Sequence, residues 1–135
     1  MLLVDSSVWI DIARGLDTAA VRFVESRDED EEVAVTGLVF QEVLQGATDD
    51  TSYARLRDML SGLLLLEPRE LSTYEIAAQL FRRGRAKGFT IRKPTDCLIA
   101  ALALEHGALL VHNDRDFHAL AQVEPALMLF PGRPH

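Results

Sequence analysis

Carboxylates follow two of the short apolar segments that this sequence predicts to be strands. Asp5 comes directly after Leu2–Val4, and Asp114 and Asp116 lie in the segment HNDRD that follows Leu109–Val111. In open sheets of parallel strands, ligands bind in the crevice outside the carboxyl ends of the strands. Residues that are distant in the chain meet there, so we expect these three carboxylates to share one cleft.

Two further acids stand near the start of predicted helices and are expected at the same cleft. Glu42 lies early on the helix after the second strand, and Asp96 lies in the first turn after Pro94. An acid in a first turn also complements the helix dipole, which is an equal alternative for Asp96 taken alone. Crowded carboxylates stay ionised only with a cation among them, and oxygen ligands select Mg²⁺ or Mn²⁺ over zinc. The expected chemistry is metal-dependent phosphodiester hydrolysis.

The elements that position these acids are short apolar strands that alternate with helices. Strands are predicted at Leu2–Val4, Val33–Val35, Leu63–Leu66, Leu109–Val111 and Leu127–Phe130. Helices are predicted after a cap at Ser6 or Ser7, over Asp17–Arg27, from Leu38 to Gly46, over Asp49–Leu60, from a Ser72/Glu75 capping box towards Gly84 or Gly88, from Pro94 to Gly107, and through Phe117 and Ala121. This alternation is typical of an α/β fold with a parallel sheet covered by helices on both faces.

Length, charge and cysteine use narrow the class of protein. The 135 residues fit one domain, 1–135, in which we expect 131–135 to be a flexible tail. A net charge of −7 argues against a protein that holds nucleic acid by bulk attraction. Cys97 is the only cysteine, which excludes an intrachain disulfide and fits a reducing cytoplasm. No apolar run approaches the ~20 residues that a membrane helix needs, so no membrane role is expected.

The opening and second motifs resemble those of a known family, the PIN-domain ribonucleases, and within it the VapC-type toxins of bacterial toxin–antitoxin pairs. The apolar start followed by Asp5, Ser6 and Ser7, with Trp9 beyond them, looks like the first family motif. The segment VFQEVLQG resembles the second, with Glu42 as its acidic member.

The segment PTDCLIAALALEHGALLVHNDRDF is similar to the most recognisable stretch of that family. It places Asp96, Asp114 and Asp116 at family acidic positions and leaves open which of the last two binds metal directly. Many family members carry a threonine where this chain has Val111, and here His112 supplies the nearby polar group. Ser6, His112 and Asn113 are therefore expected around the metal ligands.

The resemblance implies a fold, an activity and partners. The fold would be a PIN-like three-layer α/β/α sandwich with a short, mostly parallel sheet. The activity would be that of an endoribonuclease that depends on Mg²⁺, or on Mn²⁺, held by Asp5, Glu42, Asp96, Asp114 and Asp116. The partner would be a small VapB-like antitoxin that places a basic side chain in the acidic site, where it competes with the metal.

Basic residues are concentrated between Glu75 and Asp96, where no acid occurs. This segment carries six of them: Arg82, Arg83, Arg85, Lys87, Arg92 and Lys93. Phosphate contacts from such a patch set the register of a nucleic acid without reading its sequence. We expect this segment to bind the RNA backbone, and a solvated helix end is the alternative, because Arg and Lys also favour helix carboxyl termini.

Apolar residues on helices outside the predicted core indicate protein partners. Trp9, Ile10, Val21 and Val24 near the amino terminus, together with the Tyr53–Leu60 helix, offer more apolar surface than one small sheet covers. We expect a homodimer, with part of this surface forming a groove for a partner helix.

Three other functions fit parts of the sequence. His112 and His118 can act as acid and base in metal-free RNA cleavage. A PIN-like domain can also bind RNA or protein without cutting. Phosphotransfer through Asp5, as in haloacid-dehalogenase-like enzymes, needs a second aspartate at the position that Ser7 occupies.

Overall fold

Residues 1–132, which the computed structural model describes, form five strands and seven helices. The strands are β1 (Leu2–Val4), β2 (Val33–Thr36), β3 (Leu64–Leu66), β4 (Leu109–Val111) and β5 (Leu129–Phe130). The helices are α1 (Ser6–Ala13), α2 (Ala19–Glu25), α3 (Gly37–Gln45), α4 (Asp50–Leu60), α5 (Leu71–Ala86), α6 (Pro94–His106) and α7 (Asp116–Val123). Each predicted element is present, with ends shifted by one or two residues, as is usual where helices fray.

The strands make one sheet in the order β3-β2-β1-β4-β5. Every neighbouring pair is parallel, so the described sheet is wholly parallel where we expected a mostly parallel one. In the centre, Leu3 lies opposite both Ala34 and Leu110. The chain steps from β1 towards β3 on one side and then to β4 and β5 on the other. The crevice between β1 and β4 is therefore the switch point where such sheets bind ligands.

Helices cover both faces of this sheet. The right-handed crossover rule places the helices before β3 on one face and those after it on the other, because the chain reverses direction across the sheet. In agreement, α1 packs with α2 and α3, and α3 with α4, whereas α5, α6 and α7 pack with one another. The central strands β1 and β2 are fully buried, and Leu3, Val4 and Leu110 are 0% exposed, whereas the edge strand β3 exposes Leu64 and Leu65. The α/β prediction with helices on both faces is confirmed.

Two predicted helix caps are wrong. The cap of α1 is Asp5 rather than Ser6 or Ser7, because its carboxylate accepts the Ser7 N–H directly. Helix α5 begins at Leu71, ahead of the predicted capping box at Ser72, and no side chain caps it.

The predicted tail, 131–135, lies partly outside the described residues, which stop at 132. Within them, the Pro131 carbonyl is 3.1 Å from His112 Nε2. The single-domain organisation over 1–135 remains a prediction. In the described part of the chain, no helix is both long and apolar enough to cross a membrane.

Candidate metal centre

The site begins where β1 ends beside β4. Asp5 directly follows β1, and its backbone N–H donates to the Val111 carbonyl at 2.9 Å. This bond ties the first carboxylate to the end of the neighbouring strand. Asp5 is also the N-cap of α1 and is 3% exposed, so strand, helix and burial together fix its position.

Ser7 orients the Asp5 carboxylate. Asp5 Oδ2 accepts from Ser7 Oγ at 2.7 Å and from Ser7 N at 3.2 Å. Ser7 Oγ in turn accepts from the Asn113 backbone N–H at 3.0 Å, and the Asn113 amide donates to Asp11 Oδ2 at 3.0 Å. Both donors go to one oxygen, which leaves Asp5 Oδ1 free of hydrogen bonds within the described residues. We had expected Ser7 to cap the helix, and Asp11 had not been singled out.

Three carboxylates from two segments converge next to Asp5. One oxygen from each of Asp96, Asp114 and Asp116 lies within 4.8 Å of the others. Asp96 comes from the first turn of α6, Asp116 from the first residue of α7, and Asp114 from the loop after β4. Asp96 and Asp116 are buried and Asp114 is half-buried.

Asp96 is the acid with the greatest electrostatic cost. It is 2% exposed, and its Oδ2 is buried with no hydrogen-bond partner. Burial raises the pKa of Asp96 to about 7, and the negative charges of Asp5, Asp114 and Glu42 add to this rise. The positive charge of Lys93 acts in the opposite direction. An unpartnered buried oxygen among other carboxylates is the position that a cation would occupy.

Glu42 lies at the edge of this group. The Ser6 hydroxyl donates to Glu42 Oε2 at 3.1 Å, which links the start of α1 to the middle of α3. The charge of Glu42 contributes to the raised pKa of Asp96, but Glu42 is half-buried and is not one of the three clustered carboxylates.

Arg92 lies against the acidic group. Its Nη2 donates to Asp114 Oδ1 at 3.0 Å, and its Nε and backbone N donate to Asp116 Oδ2 at 3.1 and 3.2 Å. The hydrogen bond to Asp116 and the charges of both acids raise the pKa of the Arg92 guanidinium. Sequence reasoning had placed Arg92 among RNA contacts, and no spacing rule pointed to this pairing.

The side chains of the other basic residues of the segment make no hydrogen bond or salt bridge with the acidic group within the described residues. Arg83 donates to the Val123 carbonyl at the end of α7 and lies 3.9 Å from Glu124. The Arg85 guanidinium lies over the Phe81 ring, 5.6 Å from its centre. Three more are exposed at their positions near the junction of α5 and α6: Arg82, Lys87 and Lys93.

His112 is a structural side chain in this arrangement. It is 1% exposed, its Nδ1 accepts from the Asp114 N–H at 3.1 Å, and its Nε2 faces the Pro131 carbonyl at 3.1 Å. Burial lowers its pKa, which keeps the ring neutral. The neutral ring with its proton on Nε2 satisfies both contacts and holds the loop that carries Asp114.

The donors available to a metal are oxygen atoms. Cys97 adjoins Asp96 but is 1% exposed, and burial and then the charge of Asp96 raise the pKa of its thiol to about 11. The thiolate that a zinc site needs is therefore not formed. The residues present fit a divalent ion that prefers oxygen, such as Mg²⁺ or Mn²⁺.

A fold with this sheet order and this acidic switch point defines a class of protein, and comparison with known proteins agrees. The PIN domain family model matches residues 2–123, and the chain belongs to the PIN domain family. The resemblance drawn from the motifs and the predicted PIN-like sandwich are confirmed.

Particular relatives lie within the VapC group. The chain is 36% identical over 127 residues to VapC ribonuclease Mb1587 of Mycobacterium bovis, a match that covers 91% of this chain and 93% of that protein. It is 34% identical over 137 residues to Ribonuclease VapC51 of Mycobacterium tuberculosis, covering 96% and 93%.

Solved structures share the fold at lower identity. VapBC2 from Rickettsia felis, bound to a DNA fragment from its promoter, aligns with a TM-score of 0.75 at 20% identity and covers 95% of this chain and 96% of that one. VapBC-1 from nontypeable Haemophilus influenzae aligns with a TM-score of 0.73 at 17% identity and covers 95% of each chain.

Proposed function

We propose that this chain is an endoribonuclease that depends on a divalent metal and acts as the toxin of a toxin–antitoxin pair. The observation that carries the proposal is the buried, unpartnered Oδ2 of Asp96 beside Asp114 and Asp116. The relatives named as VapC ribonucleases, at 34–36% identity over nearly the whole chain, support the same activity.

The residues of the site have separate tasks in this proposal. Asp96, Asp114 and Asp116 hold the ion, with Asp5 beside them and Glu42 at the rim. When bound, a divalent ion of this kind lowers the pKa of a water molecule and neutralises charge on the phosphate under attack. Ser7 keeps Asp5 in place from one side, and His112 keeps the Asp114 loop in place from the other.

The ion is proposed to be Mg²⁺, with Mn²⁺ able to replace it. All the ligands offered are carboxylates, and hard oxygen ligands suit both ions. Ser6, through Glu42, and Asn113, through Ser7, support the ligands without binding the ion.

The metal-free alternative is disfavoured by the geometry of the two histidines. Their rings are in a T-shaped arrangement with centroids 4.8 Å apart, but both nitrogens of His112 are engaged and the ring is buried. A general base must reach the proton that it removes. The alternative of a PIN-like domain that binds without cutting is disfavoured by the buried acids. If no ion bound there, an uncharged residue in place of Asp96 would relieve the repulsion among the carboxylates and stabilise the fold.

RNA is proposed to approach over the exposed basic side chains beside the site. Lys93 occupies the N-cap position of α6, three residues before Asp96, and Arg92 contacts Asp114 and Asp116 directly. Arg82, Arg85 and Lys87 extend the positive charge along the end of α5, whereas Arg83 is held by the end of α7. Because RNA is the substrate and Cys97 stays reduced, we place the protein in the cytoplasm.

The antitoxin is proposed to bind a groove between α1, α3 and α4. A cavity of about 310 Å³ lies there, with Ile10 from α1, Val43 from α3, and Leu56 and Met59 from α4 among its lining residues. A groove lined from three helices suits the apolar face of a partner helix. A homodimer would use other exposed apolar residues, and four large ones within residues 1–132 are at least 50% exposed: Leu65, Leu71, Tyr74 and Met128.

Cleavage of single-stranded RNA by the purified chain tests the function. We expect cleavage with Mg²⁺ or Mn²⁺, none in excess EDTA, and recovery when the ion is restored. Asp96→Asn should abolish cleavage while the protein stays folded. Cleavage that persists in EDTA and leaves cyclic phosphate ends would favour the histidine mechanism instead.

A further inference from the structure

One basic side chain is built into the acidic site rather than placed near it. The Arg92 backbone N–H and Nε both donate to Asp116 Oδ2, and Nη2 donates to Asp114 Oδ1. Three donors from one residue fix both the backbone and the head of the side chain. Arg92 therefore has a defined position at the rim, unlike an arginine on a solvated helix end.

The guanidinium retains capacity for another anion. Its Nη1 makes no hydrogen bond within residues 1–132, and the side chain is 51% exposed. The planar fork of an arginine matches the oxygens of a phosphate, and a charge-assisted pair of this kind is among the stronger hydrogen bonds. An anion that reaches the carboxylate cluster from solvent thus meets Arg92.

The carboxylates that hold Arg92 each keep an oxygen for a metal. Asp114 uses Oδ1 for Arg92 and for the Asp116 N–H, and Asp116 uses Oδ2 for Arg92. Asp114 Oδ2 and Asp116 Oδ1 make no hydrogen bond within the described residues. A divalent ion and the guanidinium can therefore be held at once by different oxygens of the same two side chains.

We propose that Arg92 binds the phosphate of the substrate beside the metal, from a position set by Asp114 and Asp116. The inference rests on the proposed ribonuclease function and assigns to one residue a task that the sequence spread over six. The other five lack its contacts with the acids. Arg82, for example, is bonded through Nη1 to Gln79 on the same helix.

The test compares Arg92→Ala and Arg92→Lys with Arg22→Ala as the matched control, because Arg22 is an exposed arginine that also pairs with an aspartate, Asp17, but lies outside the basic segment. Two quantities are measured without turnover: the affinity for Mn²⁺ by calorimetry, and the affinity for a short labelled RNA by fluorescence anisotropy over a range of salt, with Ca²⁺ in place of Mg²⁺. Cleavage with Mg²⁺ is then measured to separate KM from kcat.

We expect Arg92→Ala to weaken RNA binding about tenfold and to lower the salt slope by about one unit, as the loss of one phosphate contact does. Affinity for Mn²⁺ should be unchanged or higher, because a positive neighbour has been removed. Arg92→Lys should fall between the wild type and Arg92→Ala because it keeps the charge and loses the fork. Arg22→Ala should bind both ligands as the wild type does.

Two results would overturn the inference alone. RNA affinity at the wild-type level in Arg92→Ala would make Arg92 a counter-ion of the acids only. A parallel loss of Mn²⁺ and RNA affinity would make it a positioning residue that acts through Asp114 and Asp116. A wild-type chain that neither binds Mn²⁺ nor cuts RNA would instead overturn the proposed function, and this inference with it.

Discussion

At the scale of single residues, the site is organised by pairing one oxygen of most carboxylates and leaving the other open. Ser7 takes one oxygen of Asp5, and Arg92 takes one oxygen each from Asp114 and Asp116. Asp96 differs, because its Oδ2 is buried without a partner. Among the acids of the site, Asp96 is therefore the one whose ionisation we expect to depend most on pH and on a bound metal ion.

The ion-free protein should become less stable as the pH rises from about 4 to 7. The pKa of Asp96 is raised to about 7 in the fold, so in this interval the folded chain keeps a proton that the unfolded chain has released. The free energy of unfolding then falls with rising pH, by on the order of 4 kcal/mol, and levels off above pH 7. Thermal melts in EDTA across this range check it.

Asp96→Asn should remove that pH dependence and raise the melting temperature at pH 8 in EDTA, because no buried charge has to form. Asp28→Asn, an exposed change of the same kind, is the control and should leave the profile as it is. A large loss of stability in Asp96→Asn would show that the aspartate is structural.

Ser7→Ala should lower both stability and metal affinity. It removes the hydroxyl that donates to Asp5 Oδ2 and accepts from the Asn113 N–H, at a cost of about 1–2 kcal/mol. Calorimetric Mn²⁺ titration and thermal melts measure the two effects. Ser26→Ala should change neither, because within residues 1–132 the exposed Ser26 hydroxyl hydrogen-bonds only to the Phe23 carbonyl. Unchanged Mn²⁺ affinity in Ser7→Ala would contradict the positioning role.

At the scale of elements, the ends of strands and helices place the acids. Thr36 ends β2 and caps α3 by accepting the Val39 N–H at 3.1 Å, which sets the start of the helix that carries Glu42. Thr18 caps α2 in the same way, by accepting the Val21 N–H at 3.1 Å, but α2 carries none of the acids of the site. Substituting each cap therefore distinguishes a general loss of stability from an effect on the site.

Thr36→Ala and Thr18→Ala should each cost about 1 kcal/mol of stability, the usual effect of losing a cap. Only Thr36→Ala should also reduce the rate of RNA cleavage, because the start of α3 is released and Glu42 shifts. Urea unfolding and cleavage assays on both variants check this. Equal cleavage rates in Thr36→Ala and Thr18→Ala would show that the start of α3 does not position the site.

The elements could be predicted because apolar periodicity and Gly or Pro boundaries determine them locally. Pro94 at the first position of α6 and Gly107 at its end, with φ 62°, are such local signals. The cap of α1 was predicted wrongly for a different reason. Whether Asp5 or Ser6 is the cap depends on the residue at which β1 ends, and local sequence does not determine that residue. The pairing of Arg92 with Asp114 and Asp116 joins segments more than twenty residues apart, so no local pattern encodes it.

At the scale of the whole molecule, an acidic protein places two of its basic residues beside its carboxylate cluster. The net charge is −7, yet Arg92 and Lys93 directly precede α6, whose first turn carries Asp96. The groove between α1, α3 and α4 lies among the other group of helices, so RNA and an antitoxin helix would meet different parts of the surface. These two surfaces can be altered separately.

Leu56→Asp should abolish binding of the antitoxin and leave RNA cleavage intact, because a charge is placed in the apolar lining of the groove. Leu71→Asp, at a residue that is 77% exposed on α5, is the control and should bind the antitoxin normally. Co-purification with a co-expressed VapB-like antitoxin, followed by cleavage assays, measures both. If the antitoxin bound Leu56→Asp as tightly as the wild type, its binding site would have to lie outside this groove.

The central claim is that the carboxylates at the carboxyl edge of the sheet hold a divalent ion through Asp96. Calorimetric titration with Mn²⁺ at pH 8, on the wild type, Asp96→Asn and Asp28→Asn, tests this most directly. We expect saturable binding by the wild type and by Asp28→Asn, and at least about a tenfold loss of affinity in Asp96→Asn. Equal Mn²⁺ affinity in all three proteins would contradict the account.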